Sequence, residues 1–238
     1  MCGIVGIVSN KSVSANIIGA LKKLEYRGYD SAGISTISKG KISEQKCSGR
    51  VDNLEKILFQ KPSSGNLGIG HVRWATHGIP NQINAHPHSS EVVSVVHNGI
   101  IENSDKLRDE YIKKGYSFKS QTDTEVITVI LTDFLKSEGL VNCIHKTLDK
   151  LDGSFALGVI FKDFNNVVVG ARRGSPLAVG YGHEENFIGS DSYALKTMTN
   201  KISYLDDGDF CLLYKEKVEF YNSQKKKINK EIFEVSQD

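Results

Sequence analysis

The sequence has little of several features that mark particular classes of protein. No stretch reaches the roughly 18 consecutive apolar residues that span a membrane, and the N-terminus lacks the basic segment and long apolar run of a signal peptide. Lys plus Arg number 30 and Asp plus Glu 28, so the net charge of +2 gives no field that would attract nucleic acid or an acidic membrane surface. The composition therefore favours a cytoplasmic globular protein that acts on a small neutral or zwitterionic molecule.

Cysteine and histidine are present without the spacing of a metal site. Four cysteines in 238 residues are too few for a disulfide scaffold, so we predict reduced thiols at Cys2, Cys47, Cys143 and Cys211. The stretch GHVRWATHGIPNQINAHPH holds four histidines, but no carboxylate or cysteine accompanies them at ligand spacing. We therefore expect no metal site.

Apolar spacing predicts strands and helices in a mixed order, with strands in the majority. Apolar residues three and four apart indicate helices over 13–24, 50–59, 104–114, 122–135 and 140–151. Alternating runs predict strands at 4–9, at SAGISTIS and KISEQKC around a Lys39-Gly40 turn, at LGIGHVRW and VVSVVHNG, and over most of the chain after Gly153. Thr122 and Glu125 match a capping box at the start of a helix. The pattern predicts one layered α+β domain over residues 1–238 rather than an alternating parallel sheet.

Cys2 stands one residue from the start of the chain, directly before a buried strand. A buried structural thiol is one interpretation of this position. If Met1 is removed, however, Cys2 carries both a thiol and the free α-amine, whose reference pKa of about 7.7 to 8.0 allows it to accept a proton near neutral pH. Nucleophile and general base would then belong to one residue, as in the N-terminal nucleophile mechanism.

A polar loop follows the strand that contains Arg73. The planar guanidinium of Arg73 fits a carboxylate bidentately, although a surface ion pair remains the alternative. Thr76 and His77 offer hydrogen-bonding groups and Trp74 an aromatic wall, or all three are ordinary loop residues.

Two further polar sites lie later in the chain. Asn98-Gly99 is typical of a tight turn, but the Asn98 amide and the Gly99 N–H also suit an oxyanion hole. Asp123 either favours the positive end of a helix or pairs with a substrate ammonium. A carboxylate clamp, an ammonium clamp and an oxyanion hole around a thiol together describe a site for an α-amino acid with an acyl side chain.

Several motifs, in the same order along nearly the whole chain, carry a resemblance to a known family. They are MCGIVGIV, LEYRGYDSAGI, RWATHG, NAHPH, VVHNGIIEN and QTDTEV. Each is weak alone, but the ordered set resembles the glutaminase domains of glutamine–fructose-6-phosphate aminotransferases, also called glucosamine-6-phosphate synthases, which are class II glutamine amidotransferases.

The resemblance implies an N-terminal nucleophile hydrolase fold, with two antiparallel sheets stacked between helical layers. It implies that Cys2 is the nucleophile and that Asn98 and Gly99 form the oxyanion hole. Arg73 and Asp123 would hold the α-carboxylate and α-ammonium of glutamine. The remaining residues that the resemblance assigns are Thr76 and His77 in a loop that closes over glutamine, Trp74 as a gate on the ammonia path, and Arg27 and Gly28 beside the nucleophile.

The implied activity is hydrolysis of glutamine to glutamate and ammonia through a cysteine thioester, a mechanism that requires no metal or organic cofactor. In the family's full enzyme this ammonia is used to make glucosamine 6-phosphate from fructose 6-phosphate, a step of amino sugar biosynthesis (the hexosamine pathway). That step takes place in a sugar-phosphate isomerase domain, and residues 1–238 do not include such a domain. Two alternatives remain: the glutaminase half of an amidophosphoribosyltransferase-like enzyme, and a catalytically silent glutamine-sensing module. A silent module would be expected to lack Cys2, Asn98 or Asp123, and all three are present.

Overall fold

The computed structural model describes residues 2–75 and 78–236. Within these residues the helices are α1 (Ser14–Leu24), α2 (Val51–Gln60), α3 (Ser104–Lys113), α4 (Thr124–Phe134), α5 (Leu140–Lys150) and α6 (Ser192–Leu195), with a 3₁₀ turn at Glu25–Arg27. The strands are β1 (Gly3–Ser9), β2 (Ser31–Ser38), β3 (Lys41–Ser48), β4 (Leu67–Arg73), β5 (His88–Ser89), β6 (Val93–Ile101), β7 (Gly153–Phe161), β8 (Phe164–Arg173), β9 (Ala178–Tyr181), β10 (Glu185–Gly189), β11 (Lys201–Tyr204), β12 (Phe210–Leu213), β13 (Val218–Tyr221), β14 (Lys227–Ile228) and β15 (Phe233–Glu234).

These strands form two antiparallel sheets. The first has the order β15-β11-β9-β10-β1-β4-β2-β3, and the second has the order β14-β13-β12-β8-β7-β6-β5. The predicted hairpin is present, because β2 and β3 pair from Ser31 opposite Ser48 to Ser38 opposite Lys41. Lys39 and Gly40 form its turn with φ angles of 50° and 70°, as a tight two-residue hairpin requires.

The sheets stack between two helical layers, and β1 shows why. Its successive side chains point to opposite faces, so Val5 and Ile7 join α1, α2 and α6 in one core, whereas Ile4 and Val8 join the core between the sheets. A third core lies between the second sheet and helices α3, α4 and α5. The predicted α+β architecture of two stacked antiparallel sheets between helices is therefore confirmed.

The pairing register brings several chain segments together at one end of the inner strands of the first sheet. Gly3 lies opposite Val72 on β4, so the residue before β1 meets the end of β4. Ser31, at the start of β2, lies opposite Arg73 on the other side of β4. The end of β10 lies at the same place, because the backbone N–H of Ser190 donates to the carbonyl of Ile4. Cys2 is thus surrounded by segments that are far apart in sequence.

The predicted capping box is wrong. Helix α4 begins at Thr124 rather than Thr122, and its N-cap residue Asp123 makes no side-chain capping bond. The Glu125 carboxylate instead accepts hydrogen bonds from the backbone N–H groups of Lys119 and Ser120, both at 2.7 Å. Glu125 therefore fixes the loop before the helix and leaves Asp123 for other contacts.

Among the helices in the described part of the chain, none has both the length and the apolar composition needed to cross a membrane.

Candidate active site

Cys2 lies half-buried directly before β1, where its thiol contacts the backbone of Trp74. The Trp74 N–H donates to Sγ at 3.2 Å, and the thiol can donate to the Trp74 carbonyl at 3.4 Å. Burial raises the pKa of the Cys2 thiol, and the hydrogen bond with Trp74 only partly offsets this effect. The group is therefore mainly a neutral thiol near neutral pH and needs a base before it can act as a nucleophile.

Arg73 is the last residue of β4 and is only 3% exposed. Its guanidinium donates long hydrogen bonds to the carbonyls of Ile79 at 3.4 Å and Gly78 at 3.5 Å. Burial lowers the Arg73 pKa, an effect that the negative charge of Asp30 opposes, and an arginine remains charged under such conditions. A ligand carboxylate would make shorter and stronger bonds to this guanidinium than these neutral carbonyls do.

Asp123 supplies a buried carboxylate near Arg73. It is 6% exposed, and its Oδ2 accepts from the backbone N–H of Ile101 at 2.8 Å, which ties it to the end of β6. A narrow cleft brings several of the predicted residues together. Its lining is Cys2, Arg73, Trp74, His86, His97, Gly99, Thr122, Asp123 and Thr124. A thiol, a cation and an anion thus share one enclosed space. A wider groove beside α4 includes none of these three groups.

Asn98 lies against the backbone of Cys2 and is not among the residues that line this cleft. Its Nδ2 donates to the Cys2 carbonyl at 3.0 Å and to Ser190 Oγ at 3.2 Å. Gly99 does line the cleft, with φ at 112°, and a Cβ there would lie 2.3 Å from the carbonyl oxygen of Ser154. Only glycine fits this position, because any side chain would meet rigid backbone.

Arg27 and Gly28 flank the cleft, as the sequence motif suggests. Arg27 pairs with Asp191 at 2.9 Å. Gly28 has φ at 113°, and a Cβ at this position would lie 2.9 Å from Cε3 of the Trp74 ring. Trp74 is 53% exposed, so its ring covers the 27–28 segment and also faces solvent at the mouth of the cleft.

Gly28→Ala is expected to displace the Trp74 ring and change its fluorescence emission. The added methyl would overlap the ring, and the positive φ adds strain of roughly 1 to 3 kcal/mol. Trp74 is the one tryptophan in the chain, so emission reports on this side chain alone. Gly115→Ala is the matched control, since Gly115 has φ at 95° but open space where the alanine methyl would lie. A similar spectral change in both variants, or none in Gly28→Ala, would contradict this packing.

Three histidines from β4, β5 and the loop between these strands form a stacked cluster rather than a metal-binding arrangement. The rings of His71 and His86 stack at 4.0 Å, and His88 meets His86 edge-on at 5.0 Å. Burial lowers the pKa of His71 to about 3 and those of His86 and His88 well below the usual value. Within residues 2–75 and 78–236, no cluster of His, Cys, Asp or Glu is arranged to hold a metal ion. Thr76 and His77, which sequence reasoning also assigned, lie outside the described residues.

Three residues near the cleft were not singled out from the sequence. Asp30 accepts from the Ala75 N–H and from Ser31 Oγ, and so holds the segment after Trp74. Its place in EYRGYD, just before a strand, was an available signal. Ser190 and Asp191 follow β10 and contact Asn98 and Arg27 respectively. Nothing in the local pattern FIGSDS indicates these long-range contacts.

Comparison with known families gives one match over more than half of the chain. A family model described as "Glutamine amidotransferase domain" matches residues 71–197. A glutamine–fructose-6-phosphate aminotransferase [isomerizing] of Mesorhizobium japonicum is 49% identical over 231 residues, which are 97% of this chain and 38% of that protein. The enzyme of the same name from Clostridium acetobutylicum is 48% identical over 240 residues, which cover 100% of this chain and 39% of the relative. The chain thus spans under half the length of these relatives.

Solved structures share the fold at lower identity. The glutamine phosphoribosylpyrophosphate amidotransferase of B. subtilis gives a TM-score of 0.76 at 23% identity, covering 93% of this chain and 49% of that one. A structure described as the allosteric regulatory enzyme of purine biosynthesis gives 0.79 at 23% identity, with the same coverage. At this identity the likeness concerns the fold alone, and it agrees with two antiparallel sheets stacked between helical layers.

Proposed function

Because the chain belongs to the glutamine amidotransferase family, we propose that it hydrolyses the side-chain amide of glutamine to glutamate and ammonia, with Cys2 as the nucleophile. The observation that carries this proposal is the meeting of the Cys2 thiol, the Arg73 guanidinium and the Asp123 carboxylate in one narrow cleft. The two opposite charges match the α-carboxylate and α-ammonium of an amino acid. The thiol then faces the functional group at the end of its side chain.

The first chemical step forms a thioester. The free α-amine of Cys2, exposed by removal of Met1, takes the thiol proton, and Sγ attacks Cδ of glutamine. The carbonyl oxygen gains negative charge, which the Gly99 N–H and the Asn98 amide stabilise. Collapse of this intermediate breaks the Cδ–N bond, and the nitrogen leaves as ammonia with the proton that the amine had taken.

Asn98 must exchange one of its present contacts to serve this oxyanion. Its two amide hydrogens meet the Cys2 carbonyl at 3.0 Å and Ser190 Oγ at 3.2 Å. The bond to Ser190 is the longer, and Ser190 Oγ also accepts from the Ile4 N–H. Loss of the Asn98 bond therefore leaves Ser190 hydrogen-bonded, which makes this contact the cheaper one to exchange.

The second step releases glutamate. Water attacks the thioester carbonyl while the same amine accepts a proton from it, and the Cys2 thiol regains its proton as it leaves. The oxyanion of this step occupies the same place as the first. No metal or organic cofactor enters either step.

We propose that the ammonia passes to fructose 6-phosphate in a sugar-phosphate isomerase domain, for amino sugar biosynthesis in the cytoplasm. The names of the 48–49% identical relatives support this acceptor over the phosphoribosyl acceptor of the 23% identical structures. Residues 1–238 would then be the glutaminase domain, joined in cis to the isomerase domain. Trp74, exposed at the mouth of the cleft, would gate the ammonia path.

The direct test measures glutamate and ammonia release from glutamine by the protein with Met1 removed. Stoichiometric release of both products is expected, and Cys2→Ala should release neither. A second arm adds fructose 6-phosphate and a separately supplied isomerase domain and measures glucosamine 6-phosphate. Absence of glutamate release in the first arm would refute the glutaminase proposal, whereas failure of the second arm alone would refute only the acceptor.

Asp123→Asn is expected to reduce kcat/KM for glutamine by about 30- to 150-fold, or roughly 2 to 3 kcal/mol. The substitution removes the charge that would pair with the ammonium but keeps an oxygen that can accept from the Ile101 N–H. Asp209→Asn is the matched control, because Asp209 is a buried carboxylate that pairs with Lys230 elsewhere in the fold. Steady-state kinetics give kcat/KM for glutamine in both variants. Unchanged kcat/KM in Asp123→Asn would rule out the ammonium clamp.

A further inference from the structure

We propose that His71 is a positioning residue that fixes the orientation of the Asn98 side-chain amide, so that its NH₂ group faces Cys2. His71 lies on β4 opposite Ile4 of β1, and Ile4 belongs to the core between the sheets. Neighbouring side chains opposite each other on paired strands share a face, so His71 also points toward the second sheet. There its Nε2 lies 3.0 Å from the His97 carbonyl and 3.2 Å from Asn98 Oδ1.

The hydrogen bonds of His71 determine which ring nitrogen carries the proton. The His97 carbonyl oxygen can only accept a hydrogen bond, so Nε2 must be the protonated nitrogen. Nδ1 is buried and has no hydrogen-bond partner in the part of the chain that the structure describes, so no acceptor there calls for a proton on it. His71 is fully buried, which lowers its pKa to about 3, so the ring stays neutral with this tautomer near neutral pH.

This tautomer in turn fixes the Asn98 amide. The Asn98 atom that faces the Nε2–H must be an acceptor, which places Oδ1 toward His71 and Nδ2 on the opposite side. A second carbonyl gives the same orientation independently, because Nδ2 lies 3.0 Å from the Cys2 carbonyl, which can only accept. In the flipped amide, the NH₂ group would face the His71 N–H and the oxygen would face the Cys2 carbonyl. Both contacts would be repulsive.

The consequence concerns the oxyanion donor and rests on the proposed glutaminase function. A donor that stabilises a developing oxyanion is most effective when it is already oriented before the reaction. His71 holds the acceptor end of Asn98 away from the nucleophile without contacting substrate itself. Loss of the His71 N–H would leave the Cys2 carbonyl and Ser190 Oγ as the contacts that hold this orientation. The amide would then spend more time rotated, with its oxygen toward the reacting carbonyl, where it would repel the oxyanion.

The experiment compares three variants of the processed protein. His71→Leu removes the N–H donor, His71→Gln restores an N–H donor at similar reach, and His145→Leu removes a different buried histidine, one that packs edge-on against Phe210 at 4.7 Å. Each is measured for kcat and KM of glutamate release, for melting temperature, and for the rate at which iodoacetamide alkylates Cys2. Alkylation of the thiol passes through no oxyanion, so it reports on Cys2 but not on the Asn98 donor.

His71→Leu is expected to lower kcat by about 10- to 100-fold while KM and the alkylation rate stay within about threefold of the parent. His71→Gln should recover most of kcat, and His145→Leu should have a lower melting temperature but an unchanged kcat.

Equal kcat in His71→Leu and the parent, equal loss in the Leu and Gln variants, or an alkylation rate that falls with kcat would each overturn the inference. If His71→Leu does not fold, His71→Met takes its place, and failure of both to fold would make His71 a structural residue. A parent that releases no glutamate would refute the proposed function instead.

Discussion

A protein that retains one residue ahead of Cys2 is expected to lose glutamine turnover by about 10²- to 10⁴-fold, the contribution of a general base. Burial raises the pKa of the Cys2 thiol, so a base is needed to form the thiolate near neutral pH. An amide at this position has no basic lone pair, whereas the free α-amine has a reference pKa of about 7.7 to 8.0. The extension should leave the fold intact.

No described histidine is hydrogen-bonded to the Cys2 thiol as a base would be. None of the hydrogen bonds that the Cys2 thiol makes with described residues involves a histidine, since its partners are the backbone groups of Trp74. His71, with a pKa lowered to about 3, accepts a proton poorly. The α-amine is therefore the group to which we assign the proton transfer.

The comparison uses the processed protein, a form with an uncleavable one-residue extension, and Cys2→Ala. Intact mass verifies the termini, circular dichroism verifies the fold, and glutamate release measures activity. Cys47→Ala serves as the matched control for loss of a thiol, because Cys47 is buried on β3 away from the cleft. Full activity in the extended form would move the base to another residue, with His77 and His97 the candidates. Full activity in Cys2→Ala would remove the nucleophile assignment.

Asn98→Ala is expected to lower kcat by about 10²- to 10³-fold with little change in KM. The charge that Asn98 would meet exists mainly in the transition state, so its loss should spare substrate binding. Because Asn98 also donates to the Cys2 carbonyl at 3.0 Å, the alkylation rate of Cys2 is measured in parallel to show that the thiol keeps its place.

Asn103→Ala is the matched control for Asn98→Ala. Asn103 lies in the same motif, but its side chain joins the Lys150 carbonyl and the Asp152 N–H, both outside the cleft. This control should lower stability and leave kcat near that of the parent. A rise in KM at constant kcat for Asn98→Ala would instead identify Asn98 as a contact to bound substrate or as a turn residue.

Local sequence patterns predicted the elements whose signals are long or specific. SAGISTIS and KISEQKC, with Lys39-Gly40 between them, predicted both strands and their turn. The local strand and turn preferences agree here with the observed pairing of β2 and β3. The two-residue strand β15 and the four-residue helix α6 were not predicted, since such short segments contain too few residues to show a period. The capping box failed because the Glu125 carboxylate accepts from the backbone N–H groups of Lys119 and Ser120 in the preceding loop.

The residue types of the site were predictable, but their arrangement was not. Arg73 reaches Cys2 because β1 and β4 pair with Gly3 opposite Val72, a register that no local pattern specifies. The contact between Asn98 and Ser190 joins residues 92 positions apart. The family resemblance identified the residues of the site. The strand register and the long-range hydrogen bonds show how the segments that carry these residues are held together.

The measurement that tests the central claim most directly is acid quenching of the processed protein during turnover of glutamine, followed by mass analysis of its peptides. The account predicts a γ-glutamyl group in thioester linkage on the peptide that begins with Cys2, formed and lost at rates that match glutamate release. The adduct should be absent in Cys2→Ala and in the extended form. Steady glutamate release with no adduct on Cys2, even when the quench is faster than turnover, or an adduct on another residue, would contradict it.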